Sequence, residues 1–277
     1  AVAKQTVENL PPLKVLIAED NLLNQRLVEA LFSQRGHAIQ VAGDGAEAVR
    51  LVSRQNFDLI LMDVQMPNLD GIEATRAIRQ LSKEKERNTL IVALTAHAGE
   101  SDRKRCLEAG MDSYLAKPLR LDELMTEVKN LLQQVGLISR PGKAELSVEP
   151  APNDTSNPNG VIDWQQALRQ ADNDVGLLNE LVAIFRQESP RVLDAIEQSI
   201  QEGDRKMMSI KSHHLGGSFR VFACHEAQAA AMRLETLSPE VAAEPVFKAL
   251  KIEYGRVIEA LNQIPLGDVT DSHTNES

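Results

Sequence analysis

The residues that could do chemistry fall where apolar runs end. Glu19 and Asp20 follow Lys14-Val15-Leu16-Ile17-Ala18, Asp63 closes Leu59-Ile60-Leu61-Met62, Thr95 follows Leu90 to Leu94, and Lys117 follows Ser113 to Ala116. Three carboxylates in one crevice repel and raise one another's pKa unless a cation is present. Oxygen-only ligation suits Mg2+, which keeps several waters and takes one or two carboxylates together with phosphate oxygens. A carboxylate in such a place can be a nucleophile and become an aspartyl-phosphate. Mg2+, Lys117 and the Thr95 hydroxyl would then hold the phosphoryl oxygens. No Gly-rich phosphate loop is present, so nucleotide is not the obvious substrate.

The elements that must position these groups are legible in the same runs. Short apolar stretches bounded by turn formers read as strands buried on both faces, and open parallel sheets bind ligands at the carboxyl ends of their strands. Strands are expected at Lys14–Ala18, Ile39–Ala42, Asp58–Asp63, Leu90–Leu94 and Ser113–Ala116. Between them lie a helical pattern through Leu23, Leu27, Ala30 and Leu31 stopped by Gly36, and helices Ala46–Gln55, Asp70 to about Leu81, Asp102–Ala109 and Leu121–Val135. Alternating strands and helices predict a doubly wound α/β domain with a five-stranded parallel sheet over residues 13–135. Residues 1–12 read as a leader, and 136–160, with Pro141, Pro150, Pro152 and Pro158, as a largely disordered linker. Residues 161–265 are helical throughout, an all-α bundle, and 266–277 are a polar tail. In the bundle Asp163 caps a first helix at Trp164, and a long apolar stripe runs from Leu177 to Ile200. Pro190 should bend that stripe and Gly203 end it.

Composition excludes several classes. In 277 residues, 43% apolar, there is room for about two cored domains. A formal charge of −10 and 3% aromatic residues argue against a nucleic-acid surface. No apolar run approaches the roughly 20 residues that span a bilayer. Ala1-Val2-Ala3-Lys4 lacks a signal peptide's apolar core and an initiator Met, which reads as a cytoplasmic fragment of a longer protein that can itself be membrane-anchored. Cys106 and Cys224 share no metal-type spacing and read as buried small hydrophobes. His37 and His97 read as surface loop residues, and Met207 and Met208 as core filler.

The segments Ala18-Glu19-Asp20-Asn21, Leu61-Met62-Asp63-Val64-Gln65-Met66-Pro67, Asp70-Gly71, Ala93-Leu94-Thr95-Ala96 and Leu115-Ala116-Lys117-Pro118 together resemble a response-regulator receiver domain of flavodoxin-like fold. Asn24-Gln25 and Glu73-Ala74-Thr75-Arg76 resemble receivers carried by hybrid sensor kinases. The resemblance implies that Asp63 accepts a phosphoryl group from a histidine kinase. It further implies that Asp20, Asp63 and the Gln65 backbone carbonyl bind Mg2+, with Glu19 acting through water. Thr95 and Tyr114 would be a switch pair, and Lys117 would hold the phosphoryl ahead of a cis bond to Pro118.

In the bundle, His213 and His214 are the adjacent histidines. Met208, Ser212, Leu215, Phe219 and Phe222 share one helical face, which leaves both histidines exposed on its flanks. Gly217 and Arg220 follow His213 on its side. Two successive glycines inside a helix, each costing up to about 1 kcal/mol relative to Ala, invite a reason, of which close approach by another protein is one. Ser212-His213-His214-Leu215-Gly216-Gly217-Ser218 resembles the His-x-Leu-Lys-Gly-Ser signature of histidine-phosphotransfer domains, to which Leu234-Glu235 and Asp163-Trp164 also conform. In that register His213 exchanges phosphoryl groups with receiver aspartates, including that of a downstream response regulator. Gly216 stands where the family has Lys; Arg220 or Lys211 could supply the charge. One rival reading is a non-catalytic scaffold that Gly216 has disabled, and another is a metal-dependent acyl-phosphate phosphatase. No ATP-binding kinase module or helix-turn-helix is discernible in the sequence, and whether transfer runs within or between molecules is open.

Overall fold

The computed structural model describes residues 10–84, 89–95, 99–117, 121–136 and 160–263. The leader to residue 9, most of the linker, the whole tail, His97 and the Lys117–Pro118 bond lie outside the described residues. Strands β1 (Lys14–Ala18), β2 (Ala38–Ala42), β3 (Leu59–Asp63), β4 (Leu90–Thr95) and β5 (Ser113–Ala116) form a parallel sheet in the order β2-β1-β3-β4-β5. Helices α1 (Leu22–Ser33), α2 (Gly45–Arg54), α3 (Gly71–Glu84), α4 (Glu100–Ala109) and α5 (Leu121–Gln134) connect and follow them.

Alternation along the strands divides the core in two. Leu16, Ala18, Ile60, Met62, Ile91 and Ala93 pack with residues of α2, α3 and α4, while Val15, Ile17, Leu59, Leu61, Val92 and Leu94 pack with Val28 and Phe32 of α1 and with α5. Because β1 is flanked by β2 and β3, the strand order reverses there, opening the crevice in which such sheets bind ligands. Glu19 and Asp20 follow β1 and Asp63 ends β3, so the topology alone gathers the carboxylates. α1 starts sharply because the Asn21 side-chain carbonyl accepts the N–H groups of Leu23 at 2.9 Å and Asn24 at 3.3 Å. Asp44 caps α2 in the same way, which starts that helix one residue earlier than expected. His37 is a correction: it is buried, and its Nδ1 accepts the Leu13 N–H at 3.2 Å, tying the α1–β2 connection to the start of β1.

The second unit is built from α6 (Trp164–Gln170), α7 (Val175–Glu202), α8 (Arg205–Val221), α9 (His225–Glu235) and α10 (Ala243–Asn262). Aspartates 163, 174 and 204 cap the first three, and Gly203 ends α7 in the left-handed conformation at φ 72°. Pro190 lies within α7 without ending it. Met208 is core, as the pattern requires, but Met207 is exposed. Both cysteines are free and buried.

The apolar stripe that marks α1 in the sequence does not face the sheet. Leu23, Leu27, Ala30 and Leu31 join the bundle's core alongside Leu178, Leu181 and Leu215, while Val28 and Phe32 face the sheet. α1 therefore belongs to two cores and joins the units along a seam. Outside the apolar strip, Glu180 takes both Nε and one terminal nitrogen of Arg26 at 2.6 and 2.9 Å, and Asp172 pairs with Arg35 at 2.8 Å.

The loop after β3 depends on Gly71. A Cβ there would lie 2.1 Å from the Asp63 carbonyl oxygen, a backbone atom with no freedom to swing away. Gly71→Ala is expected to cost about 1–3 kcal/mol by overpacking at this turn, measured by denaturant unfolding; an unchanged midpoint would contradict the tight approach.

Candidate functional site

At the mouth of the sheet the Lys117 ammonium donates to Glu19 Oε2 and Asp63 Oδ2, each at 2.6 Å, and all three side chains are buried. Burial disfavours the Lys117 charge, but the two carboxylates outweigh it and push the ammonium well above its ordinary pKa. Burial also pushes the Glu19 carboxyl up; Lys117 works against that rise and Asp63 adds to it. Asp63 Oδ1 accepts the Gln65 N–H at 3.1 Å, and Glu19 Oε1 accepts from Asn24 Nδ2 at 3.0 Å. Oxygens of Glu19, Asp20 and Asp63 lie within 4.8 Å of one another. A compact, all-oxygen donor set with a net negative charge fits a hard divalent cation such as Mg2+. Thr95 is buried at the end of β4. Tyr114 is half-buried against the core of α2–α4, with the Arg103 guanidinium carbon 5.5 Å from its ring centroid.

The bundle's histidines meet this crevice. α8 packs along α1 so that Asn21 Nδ2 donates to the His214 carbonyl at 2.8 Å and to Ser218 Oγ at 2.9 Å. His214 Nδ1 lies 3.2 Å from Asp20 Oδ2. His213 Nδ1 lies 2.9 Å from Glu235 Oε1 on α9. An ionised carboxylate can only accept, so Nδ1 is the donor there and the lone pair is left on Nε2. Burial pulls the His213 pKa down, but the hydrogen bond and charge of Glu235, with the charge of Asp63, overcome it and raise the pKa above its ordinary value.

These contacts correct two expectations. The histidines are not exposed flanks: their side chains are only 13% and 15% accessible, because α1 and α9 cover the two sides that helical periodicity left open. Nor do the two glycines serve one purpose. A Cβ at Gly217 would touch Asn21 and Asn24 of the same chain at 3.5 Å, so that approach is within the molecule. Gly216 instead faces Ala231 of α9, where a Cβ would lie 3.5 Å from the alanine methyl group, an ordinary contact inside the bundle. Sequence reasoning missed Glu235 as the partner of His213, since 22 residues and a helix–helix turn separate them. It also missed the second role of Asn21, for which its position as a helix cap beside Asp20 was the available signal.

Lys117 holds two buried carboxylates, so Lys117→Met should destabilise the chain by about 3–5 kcal/mol at neutral pH, a loss that shrinks in acid as the carboxylates protonate. Chemical denaturation at pH 7 and pH 4 tests this, and equal stability of variant and parent at pH 7 would refute the pairing.

Comparison with known proteins follows the same division. The family model for the response regulator receiver domain matches residues 15–129, and that for the Hpt domain matches residues 180–263. The signal transduction histidine-protein kinase BarA of Shigella flexneri is 35% identical over 216 residues, 77% of this chain and 22% of that protein. The sensor protein GacS of Pseudomonas syringae pv. syringae is 34% identical over 238 residues, 82% of this chain and 25% of that protein. This chain thus spans a quarter or less of the length of these relatives. Among solved structures, the receiver domain of sensor histidine kinase PA1611 from Pseudomonas aeruginosa, with a magnesium ion coordinated in its active site cleft, is 43% identical. It covers 45% of this chain and 97% of its own, with a TM-score of 0.39. No helix among the described residues is long and apolar enough to cross a membrane. The chain therefore belongs to the proteins that join a response regulator receiver domain, here residues 15–129, to an Hpt domain, here residues 180–263.

Proposed function

We propose that this chain is the cytoplasmic relay segment of a hybrid sensor histidine kinase, with a receiver at 13–135, a linker at 136–160 and a phosphotransfer bundle at 161–265 between a leader and a tail. Asp63 takes the phosphoryl group from a kinase phosphohistidine: the P–N bond breaks and a P–O bond to the Asp63 carboxylate forms. His213 Nε2 then attacks that phosphorus, the P–O bond breaks and a new P–N bond forms. His213 delivers the group to an aspartate on a separate response regulator.

The observation that carries this reading is the seam, which sets His213, oriented by Glu235, where the charge of Asp63 acts on it. The seam between α1 and the bundle supports transfer within one chain. Lys117 offsets charge on the phosphoryl oxygens, Thr95 supplies a hydroxyl at the neighbouring strand end, and Tyr114 packs beside that strand as its switch partner. Glu19, Asp20 and Asp63, with the Gln65 carbonyl, would hold Mg2+, which when bound neutralises charge on the phosphoryl oxygens. Glu235 fixes the imidazole tautomer and keeps a proton on Nδ1.

Incubating the chain with Mg2+ and a phosphorylated kinase donor should place label on Asp63 and then on His213. Asp63→Asn should abolish both, and His213→Gln should leave label on Asp63 alone. Label that reaches the bundle in His213→Gln refutes the site, and label confined to Asp63 in the parent, even with a competent downstream regulator, favours the scaffold reading.

The pH dependence has a defined sign. Because the folded His213 pKa is raised, its pairing stabilises the fold fully below the unfolded value of about 6.5 and the benefit is lost as pH rises through the folded value. Its nucleophilic neutral form accumulates over that same rise, so transfer onto His213 should accelerate there. Glu235→Gln should lower the His213 titration midpoint measured by NMR; an unmoved or higher midpoint would show that Glu235 does not set it.

A further inference from the structure

Arg220 on α8 carries a partly buried charge that no structural pairing among the described residues uses. Arg220 lies two turns after His213 on the same helical flank, with Gly217 between them. Among the described residues its guanidinium makes no ion pair or hydrogen bond; its backbone carbonyl accepts from Gln170 Nε2 at 3.2 Å and from the Ala223 N–H at 3.0 Å. It is not a surface arginine, being half-buried on the wall of a small cavity in the seam. Lys117, Asn24, Gln170 and Gly217 share that wall, so two cations border the cavity and no carboxylate does. Burial weakens the guanidinium's hold on its proton, while the charges of Glu235, Asp63 and Glu19 act in the opposite direction. The charge thus lies within electrostatic reach of both the nucleophile's partner and the phosphoryl acceptor.

Burying a cation without a partner is costly unless an anion arrives to meet it. Gly216 explains why an arginine is needed here. Its position faces Ala231 inside the bundle, so the side chain that the signature supplies at that point is absent, and the positive charge beside His213 must come from elsewhere. Lys211 precedes His213 and lies off this flank, whereas Arg220 opens on the same cavity as Lys117.

We propose that Arg220 is a catalytic residue of the Asp63-to-His213 step: its guanidinium, which lines the same seam cavity as Lys117, binds the phosphoryl group as it passes between the two units. The proposal rests on the relay reading above. As the phosphorus leaves the Asp63 oxygen and bonds to His213 Nε2, the P–O bond breaks as the P–N bond forms, and no proton or electron leaves the pair. The transferring oxygens carry negative charge throughout, and a planar guanidinium can bind two of them at once. The Lys117 ammonium remains with the Asp63 carboxylate that is regenerated.

The test uses the full chain, loaded at Asp63 with a small acyl phosphate and Mg2+, following phosphoaspartate and phosphohistidine with time. Arg220→Ala should load Asp63 at the parent rate but pass the group to His213 about 100-fold more slowly. Arg220→Lys should recover most of that loss, and added guanidinium ion at low millimolar concentration should partly restore Arg220→Ala. A packing role would show neither recovery. If Arg220→Ala fails to fold, Arg220→Gln, which retains bulk without charge, should show the same 100-fold loss. Transfer within twofold of the parent in the folded uncharged variant overturns the proposal while leaving the relay intact. Absence of phosphohistidine in the parent chain overturns the relay reading and this proposal together.

Discussion

The structure depends on α1 having two apolar faces. Val28 and Phe32 bury themselves against the sheet, and Leu23, Leu27, Ala30 and Leu31 bury themselves in the helical bundle. Burying apolar area at about 25 cal/mol per Å² favours both contacts, so one helix fixes the receiver's sheet and the bundle in a common frame. Everything polar at the seam follows from that placement. Asn21 can cap α1 with its carbonyl and hold α8 with its amide only because α8 lies along the start of α1. The Arg26–Glu180 and Arg35–Asp172 pairs on the exposed rim are worth little individually in water. Their geometry fixes register more than it adds stability.

The seam also decides the electrostatics. A crevice with Glu19, Asp20 and Asp63 would expel charge were it not for Lys117 between two of them. The bundle supplies imidazoles at its mouth, and one of them, His214, contacts Asp20 directly. His213 is held from behind by Glu235, which takes Nδ1 and leaves Nε2 as the unprotonated nitrogen of the neutral ring. If His213 is the nucleophile proposed above, this arrangement leaves it little to reorganise at the moment of transfer. On the proposed relay, positive charge around the moving phosphoryl group would come from Lys117 on the sheet side and Arg220 on the bundle side.

The sheet, its strand ends and the identity of the carboxylate and lysine positions were legible in the sequence, because buried parallel strands write themselves as short apolar runs and their ends are marked by charge. Asp63, Glu19, Asp20 and Lys117 converge for topological reasons that five strands in this order impose. What periodicity could not show was which partner each apolar face of α1 meets, since a stripe records amphipathicity and not the identity of the covering surface. The same limit hid the burial of His213 and His214, the division of labour between Gly216 and Gly217, and the pairing of His213 with Glu235. His37 was misread because a polar residue beside a strand can be buried when one ring nitrogen finds a backbone N–H.

The central claim is that the seam brings donor and acceptor together within a single molecule. The direct measurement is the rate at which label passes from Asp63 to His213 in pre-loaded chain over a tenfold or greater range of protein concentration. A first-order rate that does not change with dilution is the predicted result. A rate that falls in proportion to concentration would mean that transfer occurs between molecules, and that the contact of α1 with the bundle does not serve the relay within one chain.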